Sequence, residues 1–395
     1  MIICAAYIVL SITRGILLEG SWKLLDELED SGLKELAKKL PNTVLHSRAN
    51  STVKKYLGAF RRWKTWATSH KLVPLPAKPH EVAFYLQHLG EKTRSKSAAE
   101  EACNALSWAH ASAGLASPSS NLFVKTVLEG LQRSYAKPVV KKELLTVDML
   151  ERIVDDAEKS GALSDLRLAT ACLLGFAGFL RFDELIRLRP CEIKFSEEML
   201  AIKILGSKTD QLRQGDEVVI SRTGSRTCPV AMLERYMART ATPHEDQRFL
   251  FRPIQKTKHC EELRGTGKIS YTCLRDLFRK KLSSLGYNVK DFGLHRLRAS
   301  GATAAANAEV PDRLFKRHGR WRSESAKDGY VKDNIESRLQ VSQSLGLYLN
   351  IAINAFFVPS RVNNYYSQPS VVAQSKELYS GCMVWYVVGG VFSGV

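Results

Sequence analysis

Several polar side chains in the second half of the chain have types and spacing that suit the handling of a phosphate. Arg181 ends the apolar run that begins at Asp165. His295 and Arg298 lie three residues apart in Leu294–Gly301, a spacing that predicts one shared helix face. Two cations on one face repel each other unless they share an anion, and a phosphate would serve.

Each of these residues also has a simpler explanation. Arg181 can pair with Asp183 or Glu184 in its own turn of the chain. His295 and Arg298 can belong to an exposed basic helix. Taken singly, these residues leave both explanations open.

The remaining candidates are equally ambiguous one by one. Lys208 lies in the polar loop Gly206–Gly215 between two predicted strands, where a lysine is commonly only solvated. His318 and Trp321 lie in the segment Lys-Arg-His-Gly-Arg-Trp, in which Gly319 is predicted to end a helix. His318 then suits a C-terminal cap, and Trp321 suits packing.

Tyr330 follows in Asp-Gly-Tyr-Val-Lys, and a single tyrosine is usually a packing or surface ring.

In combination, the order Arg, Lys, His-x-x-Arg, His or Trp, Tyr over 181–330 resembles the signature of tyrosine recombinases, the phage-integrase-like family. The match lies in Gly-Phe-Leu-Arg-Phe-Asp-Glu-Leu, in Leu-His-Arg-Leu-Arg, and in His-Gly-Arg-Trp followed by Gly-Tyr. It spans about residues 47–338 and resembles in particular the recombinases encoded by mobile elements.

The resemblance implies a site-specific DNA recombinase or integrase. Such an enzyme cleaves and rejoins DNA strands through a 3′-phosphotyrosyl intermediate, here at Tyr330. Arg181 and Arg298 are implied to hold the non-bridging phosphate oxygens with forked hydrogen bonds. The covalent link keeps the bond energy, so rejoining needs no ATP.

The same resemblance assigns the proton transfers and a further hydrogen bond. His295 is implied as the base or proton relay for the phenol, and Lys208 as the proton donor to the leaving 5′-oxygen. The ring of Trp321 or His318 donates a further bond to the phosphate. Trp321 is preferred because it lies nine residues before Tyr330, at the family's usual spacing, whereas His318 lies twelve before it.

These residues must be held by a fold that is mainly α with a small antiparallel β-sheet. The expected architecture has two domains, a helical core-binding domain plus a catalytic domain. The boundaries predicted are an apolar and helical N-terminal extension over 1–46, a SAM-like helical DNA core-binding domain over 47–136, a linker over 137–145, a catalytic domain over 146–338, and a tail of unknown role over 339–395.

Local patterns predict individual elements. An amphipathic helix is expected over 21–44, ended by Pro41. Strands are expected at Met199–Leu205, Glu217–Ile220 and Phe249–Arg252, and a helix at Ser323–Lys332. Thr146 is predicted to cap the first helix of the second domain, Pro229 to open another, and the helix over 270–285 to end at Gly286.

The overall charge indicates a polyanionic partner. The chain of 395 residues has 58 Lys and Arg against 40 Asp and Glu, which gives a net charge of +18. Such a surplus favours double-stranded DNA through phosphate contacts and counterion release. The alternative is a basic protein that binds RNA or acidic membranes without specificity. The predicted DNA-binding residues are Lys54, Lys55, Arg61, Arg62 and Lys64 on one helix, and Lys137, Lys141 and Lys142 in the linker.

Other classes of site are not expected. The eight cysteines form no Cys-x-x-Cys pair, which argues against a zinc ribbon and a disulfide framework. We expect no cofactor, no metal and no membrane partner. Without a secretory signal, the predicted location is nuclear in a eukaryote and otherwise cytoplasmic.

Two alternatives to a tetrameric recombinase on two DNA duplexes stay open from the sequence. One is a mobile-element-derived DNA-binding protein without catalytic activity, which the apolar tail and unusual start would suit. The other is a type IB topoisomerase, which shares the chemistry. The separate helical domain and the competent residue at every catalytic position favour the recombinase.

Overall fold

The computed structural model describes residues 16, 19–25, 27–138, 140–206, 215–257 and 260–345. The described chain is mainly helical, with two small antiparallel sheets. Lys208 lies outside the described residues, so its predicted role stays a prediction.

The first half of the described chain is all-helical. A 3-10 helix at Gly20–Leu25 precedes the helices α1 (Ser31–His46), α2 (Asn50–Ser69), α3 (Pro79–Thr93), α4 (Lys96–Ser112) and α5 (Leu122–Ser134). Trp63 is fully buried at the centre of this region, and its indole donates to the Pro74 carbonyl at 2.8 Å. The core of α2–α5 is separate from the core of the residues that follow.

The second half forms around the mostly buried helix α7 (Leu163–Ala177). Its other helices are α6 (Val147–Ser160), α8 (Phe182–Leu185), α9 (Pro229–Arg239), α10 (Tyr271–Ser284), α11 (Arg296–Asn307), α12 (Asp312–Gly319) and α13 (Glu324–Asp328). The hydroxyl of Thr146 accepts the Met149 N–H and Pro229 opens α9, which confirms both predicted starts. Gly286 has the left-handed φ of +86° just beyond α10.

The larger sheet has the order β1-β2-β3, from β1 (Ile193–Phe195), β2 (Met199–Ile204) and β3 (Asp216–Ser221). In β2–β3 the register sets Leu200 opposite Ile220. Both side chains are buried in the core that contains α7. The second sheet pairs β4 (Ile254–Lys256) with β5 (Glu261–Leu263).

Three local predictions were wrong. The helix predicted over 21–44 is interrupted at 27–30, and α1 runs through Pro41 to His46. Asp30 caps α1 by accepting the Leu33 N–H at 2.7 Å. Because α1 buries no residue, the carbonyl that loses its partner to proline can bind water instead.

The other two errors concern short segments. Phe249–Arg252 is not a strand, because it makes only isolated backbone bonds, such as Leu250 N–H to Leu188 O at 2.8 Å. The strand of this region is β4, which begins two residues later. The helix predicted over Ser323–Lys332 is only the five-residue α13, and Tyr330 follows it in irregular backbone.

The described residues 334–345 belong to a compact unit distinct from the one that ends at Asp333. It contains the helix α14 (Ile335–Gln343), which Asn334 caps through the Ser337 N–H at 2.7 Å. None of its helical residues is buried.

Candidate active site

One buried carboxylate organises the predicted site. Glu184 on α8 has a side chain only 3% exposed. Its Oε1 accepts from the Arg181 guanidinium at 2.6 Å, and its Oε2 accepts from the Arg181 backbone N–H at 2.8 Å. Arg181 therefore does pair with a carboxylate in its own turn. This pair holds the guanidinium at the end of the buried segment that follows α7.

Arg298 is the most deeply buried of the predicted site residues, with 2% exposure. Its guanidinium donates to the carbonyls of Phe179 and Gly319 and lies 4.0 Å from Glu184 Oε2. Its Nε is buried without a hydrogen-bond partner. A guanidinium so held has little freedom to reorient, which suits a group that must meet a phosphate in one geometry.

A third arginine completes the cluster, and the sequence analysis did not select it. Arg320 donates to Glu184 Oε2 at 2.9 Å from a side chain that is 2% exposed. Its other bonds go to the carbonyls of Gly178, Phe179 and His318. Arg181, Arg298 and Arg320 thus surround the single carboxylate of Glu184.

Three cations around one anion leave an excess of positive charge in a poorly solvated place. Burial, followed by the charges of Arg181 and Arg320, lowers the pKa of Arg298 to about 10. Arg298 is still protonated at neutral pH. The cluster is short of negative charge, and a bound phosphodiester would supply it.

Aromatic rings form the wall beside this cluster. The Arg298 guanidinium lies 5.0 Å from the ring centre of Trp321 and 4.9 Å from that of Tyr330. The two rings lie 5.6 Å apart, with Phe315 and Phe179 behind Trp321. Cation–π contacts of this length stabilise a desolvated guanidinium.

Trp321 and Tyr330 are held from opposite sides. Any side chain at Gly319 would collide with the indole, because a β-carbon there would lie 1.9 Å from it. The Thr303 hydroxyl on α11 donates to the Tyr330 carbonyl at 3.3 Å and accepts from the Lys332 N–H at 3.1 Å. Trp321 Nε1 is buried without a hydrogen-bond partner among the described residues.

His318 and Trp321 differ in what they leave free. His318 Nε2 lies 2.8 Å from the Ala177 carbonyl, and its ring packs edge-on against Phe179 at 4.6 Å. Burial, reinforced by the charges of Arg320 and Arg298, lowers the pKa of His318, and the hydrogen bond to the Ala177 carbonyl opposes that shift only in part. Its ring nitrogen serves the fold, whereas that of Trp321 is unused. This contrast supports the preference for Trp321 as the phosphate donor.

His295 has different surroundings from the buried Arg298. It precedes the first residue of α11, is exposed, and stacks on Tyr271 at 5.4 Å with an interplanar angle of 20°. Phe182 packs edge-on against it at 6.1 Å. His295 is the residue before α11 and its backbone is already in the right-handed helical region (φ −66°, ψ −16°), so the shared helix face with Arg298 stays a prediction.

The predicted DNA-binding residues of α2 are all exposed. Lys55 and Arg62 both pair with Glu101 of α4, at 3.1 and 2.7 Å. Within the described residues, Lys54, Arg61 and Lys64 form no ion pair. In the linker, Lys137 and Lys141 are exposed, and the Lys142 ammonium donates to the Lys290 carbonyl.

Sequence reasoning missed the residues that hold the site together. Glu184 was considered only as a simple partner of Arg181, and Arg320 only as part of a quoted motif. One signal was present: two charged residues, Glu184 and Arg320, lie inside the two most specific motifs. The two residues lie 136 positions apart in sequence, so neither motif alone could predict that they are in contact.

The chain is similar in sequence to known proteins of one family. Residues 143–336 match the phage integrase family. An integrase/recombinase from Selenomonas ruminantium, a xerD homolog, is 26% identical over 346 residues, which is 84% of this chain and 98% of that protein.

Two solved structures share the fold. The XerH site-specific recombinase, bound to palindromic difH substrate in a post-cleavage complex, has a TM-score of 0.51 and 14% identity, covering 86% of this chain and 94% of that one. The Tn1549 transposon integrase in complex with transposon right end DNA has a TM-score of 0.50 and 13% identity, covering 75% and 94%. The predicted fold class is confirmed.

Two kinds of feature are absent from the described residues. No helix there is long and apolar enough to cross a membrane. No group of three or more histidine, cysteine, aspartate or glutamate side chains there could hold a metal ion.

Proposed function

Because the chain belongs to the phage integrase family of tyrosine recombinases, with the family domain at residues 143–336, we propose that it is a site-specific DNA recombinase in which Tyr330 is the nucleophile. The observation that carries this proposal is the contact of one buried guanidinium with two rings. Arg298 lies 4.9 Å from the Tyr330 ring and 5.0 Å from Trp321. A phosphate that met Arg298 would therefore lie beside the tyrosine that attacks it.

The reaction conserves the number of phosphoester bonds. The Tyr330 oxygen attacks phosphorus, a P–O bond to tyrosine forms, and the P–O5′ bond breaks. The phenol proton passes to a base, and the leaving 5′-oxygen takes up a proton from an acid. Attack by a 5′-hydroxyl of another strand reverses these steps and frees the tyrosine.

The roles of the other residues follow from charge and position. Arg181 and Arg298 stabilise the negative charge that develops on the non-bridging oxygens, and Trp321 Nε1 adds a neutral donor. His295, exposed in its slot between Phe182 and Tyr271, is the proposed base or relay. Lys208 is the proposed proton donor to the 5′-oxygen.

DNA binding is proposed for both halves of the chain. The exposed cations of α2 contact phosphates on one side of the duplex, and the linker lysines cross its backbone. A homotetramer on two duplexes is proposed, since strand exchange needs four cleavages. The related XerH and Tn1549 proteins were solved bound to DNA, which supports DNA as the partner.

The test is to trap the covalent intermediate. Purified protein is incubated with partly randomised duplexes that carry a nick next to each candidate cleavage position. Cleavage then releases a short fragment that diffuses away, so rejoining fails. We expect protein–DNA adducts that survive SDS in the wild type and that disappear in Tyr330→Phe. Sequencing the captured DNA would identify the site.

The controls separate the competing explanations. Tyr348→Phe, the next tyrosine along the chain, should leave the adduct intact. Adducts that persist in Tyr330→Phe would reject this nucleophile. Salt-sensitive DNA binding without any adduct would reject the recombinase and favour a DNA-binding protein without catalytic activity. Relaxation of supercoiled plasmid lacking the captured site would favour a topoisomerase.

A further inference from the structure

Arg320 has a backbone conformation that its residue type does not favour. Its φ and ψ are +55° and +41°, in the left-handed region where glycine normally ends a helix. A non-glycine residue there costs on the order of 1 kcal/mol. Such a cost at a buried position suggests that the side chain itself has a use.

The contacts of Arg320 converge on the groups that hold the predicted phosphate clamp. Its guanidinium donates to the Phe179 carbonyl at 3.1 Å, the same carbonyl that Arg298 uses. Phe179 also has a positive φ, of 45°. Two non-glycine residues in left-handed conformations thus meet at one carbonyl beside Arg298.

Arg320 also competes for Glu184. The carboxylate has two oxygens: Oε1 accepts from the Arg181 side chain, and Oε2 accepts from Arg320 at 2.9 Å. Arg298 is left 4.0 Å from Oε2, beyond hydrogen-bond distance. Without Arg320, Glu184 would be free to bind Arg298 as tightly as it binds Arg181.

We propose that Arg320 is a positioning residue that occupies Glu184 and so keeps Arg298 available to the phosphate. Arg320 need not touch DNA to do this. It also adds a second positive charge close to Arg298, which increases the demand of the cluster for an anion. This inference rests on the proposed function, since the phosphate is that of the DNA strand to be cut.

The test compares Arg320→Gly with the wild type in the trapping assay, using the same nicked duplex pool at saturating protein. Glycine suits the left-handed backbone, so this variant removes the side chain without adding strain. We expect the rate of adduct formation to fall on the order of 10²-fold, because Arg298 would then be held by Glu184 and lost as an oxyanion donor. DNA affinity should change by only a few fold.

Chemical rescue distinguishes a positioning role from a structural one. Guanidinium ion, added far below denaturing concentrations, can fill the space left in Arg320→Gly and bind Glu184. We expect it to restore part of the rate, and Arg320→Lys to restore less because an ammonium lacks the fork. Arg322→Gly, an exposed arginine two residues on, is the matched control and should keep the wild-type rate without any response to guanidinium.

The outcomes separate this inference from the proposed function. A wild-type rate in Arg320→Gly would overturn the inference while leaving the recombinase proposal intact. A loss of rate that guanidinium ion does not relieve would also overturn it, since the arginine would then act only through folding. Absence of the adduct from the wild type itself would overturn the proposed function.

Discussion

The protein uses its basic side chains in two contrasting ways. On α2 they are exposed and lie along one helix, and two of them share Glu101 at the surface. In the catalytic half, Arg181, Arg298 and Arg320 meet around Glu184, whose side chain is 3% exposed. One arrangement keeps its charges in water, and the other removes them from it.

The difference indicates what each cluster can do. Exposed charges attract phosphates over a distance and are screened by salt, so they contribute affinity without fixing a geometry. Buried charges are costly unless they are paired and hydrogen-bonded, so each one is held in a defined position. The arginine cluster around Glu184 is therefore suited to recognising one phosphate, and α2 to recognising a polyanion.

The largest effect should come from removing the buried carboxylate. Glu184→Gln leaves three guanidinium groups without their anion and should destabilise the protein by about 3 kcal/mol or more. Glu101→Gln is the matched change at the exposed cluster and should cost less than about 1 kcal/mol. Urea unfolding of the two variants would measure both. Similar losses of stability in the two variants would mean that burial does not make Glu184 more important to the fold than Glu101.

The next largest effect is expected at Arg298, one of the two arginines proposed to hold the phosphate. Arg298→Lys keeps the charge but cannot bond the Phe179 and Gly319 carbonyls while facing a phosphate. We expect the rate of adduct formation to fall about 10²–10³-fold, with DNA affinity changed only slightly. Single-turnover trapping and a filter-binding assay would measure the two quantities. A selective loss of affinity instead would place Arg298 among the general DNA contacts.

A smaller and graded effect is expected on α2. Lys54→Ala and Arg61→Ala should each reduce the slope of log affinity against log salt by about 1, since each removes one phosphate contact. Lys55→Ala should change it less, because Glu101 already pairs with Lys55. Titrations at several salt concentrations would give these slopes. Unchanged slopes in all three variants would remove α2 from the DNA interface.

The smallest effect should be a pH dependence due to His318. Burial lowers its pKa, so the folded protein favours the neutral ring. Below the ordinary histidine pKa of about 6.5, the unfolded chain takes up a proton that the folded chain resists, and stability falls as the pH falls. His318→Asn should weaken this decline between neutral and mildly acid pH. Urea midpoints with the same pH dependence in both proteins would contradict it.

Local sequence signals predicted the starts of helices well, because a helix start is determined by residues in its own first turn. Thr146 caps α6 and Pro229 opens α9, because both act on the first turn of their own helix. Pro41 was wrongly predicted to end a helix, because a helix with no buried residue tolerates a proline that would disrupt a buried helix. Phe249–Arg252 has the composition of a strand, but no neighbouring strand pairs with it among the described residues.

The sequence by itself determined which chemistry is available. The types and order of the candidate residues were sufficient to predict the family, because a phosphotyrosyl reaction needs a phenol, cations and proton carriers, and Tyr330 stays the proposed nucleophile. The nine-residue spacing was likewise enough to favour Trp321 over His318.

Only the tertiary structure decided which of these residues work together. It brought Glu184 and Arg320 into contact across 136 positions, gave Trp321 an unused donor, and fixed His318 on a backbone carbonyl. It also left His295 exposed and buried Arg298, although both lie in one motif. The physical reason is that burial and charge pairing depend on the neighbours in space, and a local sequence pattern contains no record of residues more than a few turns away.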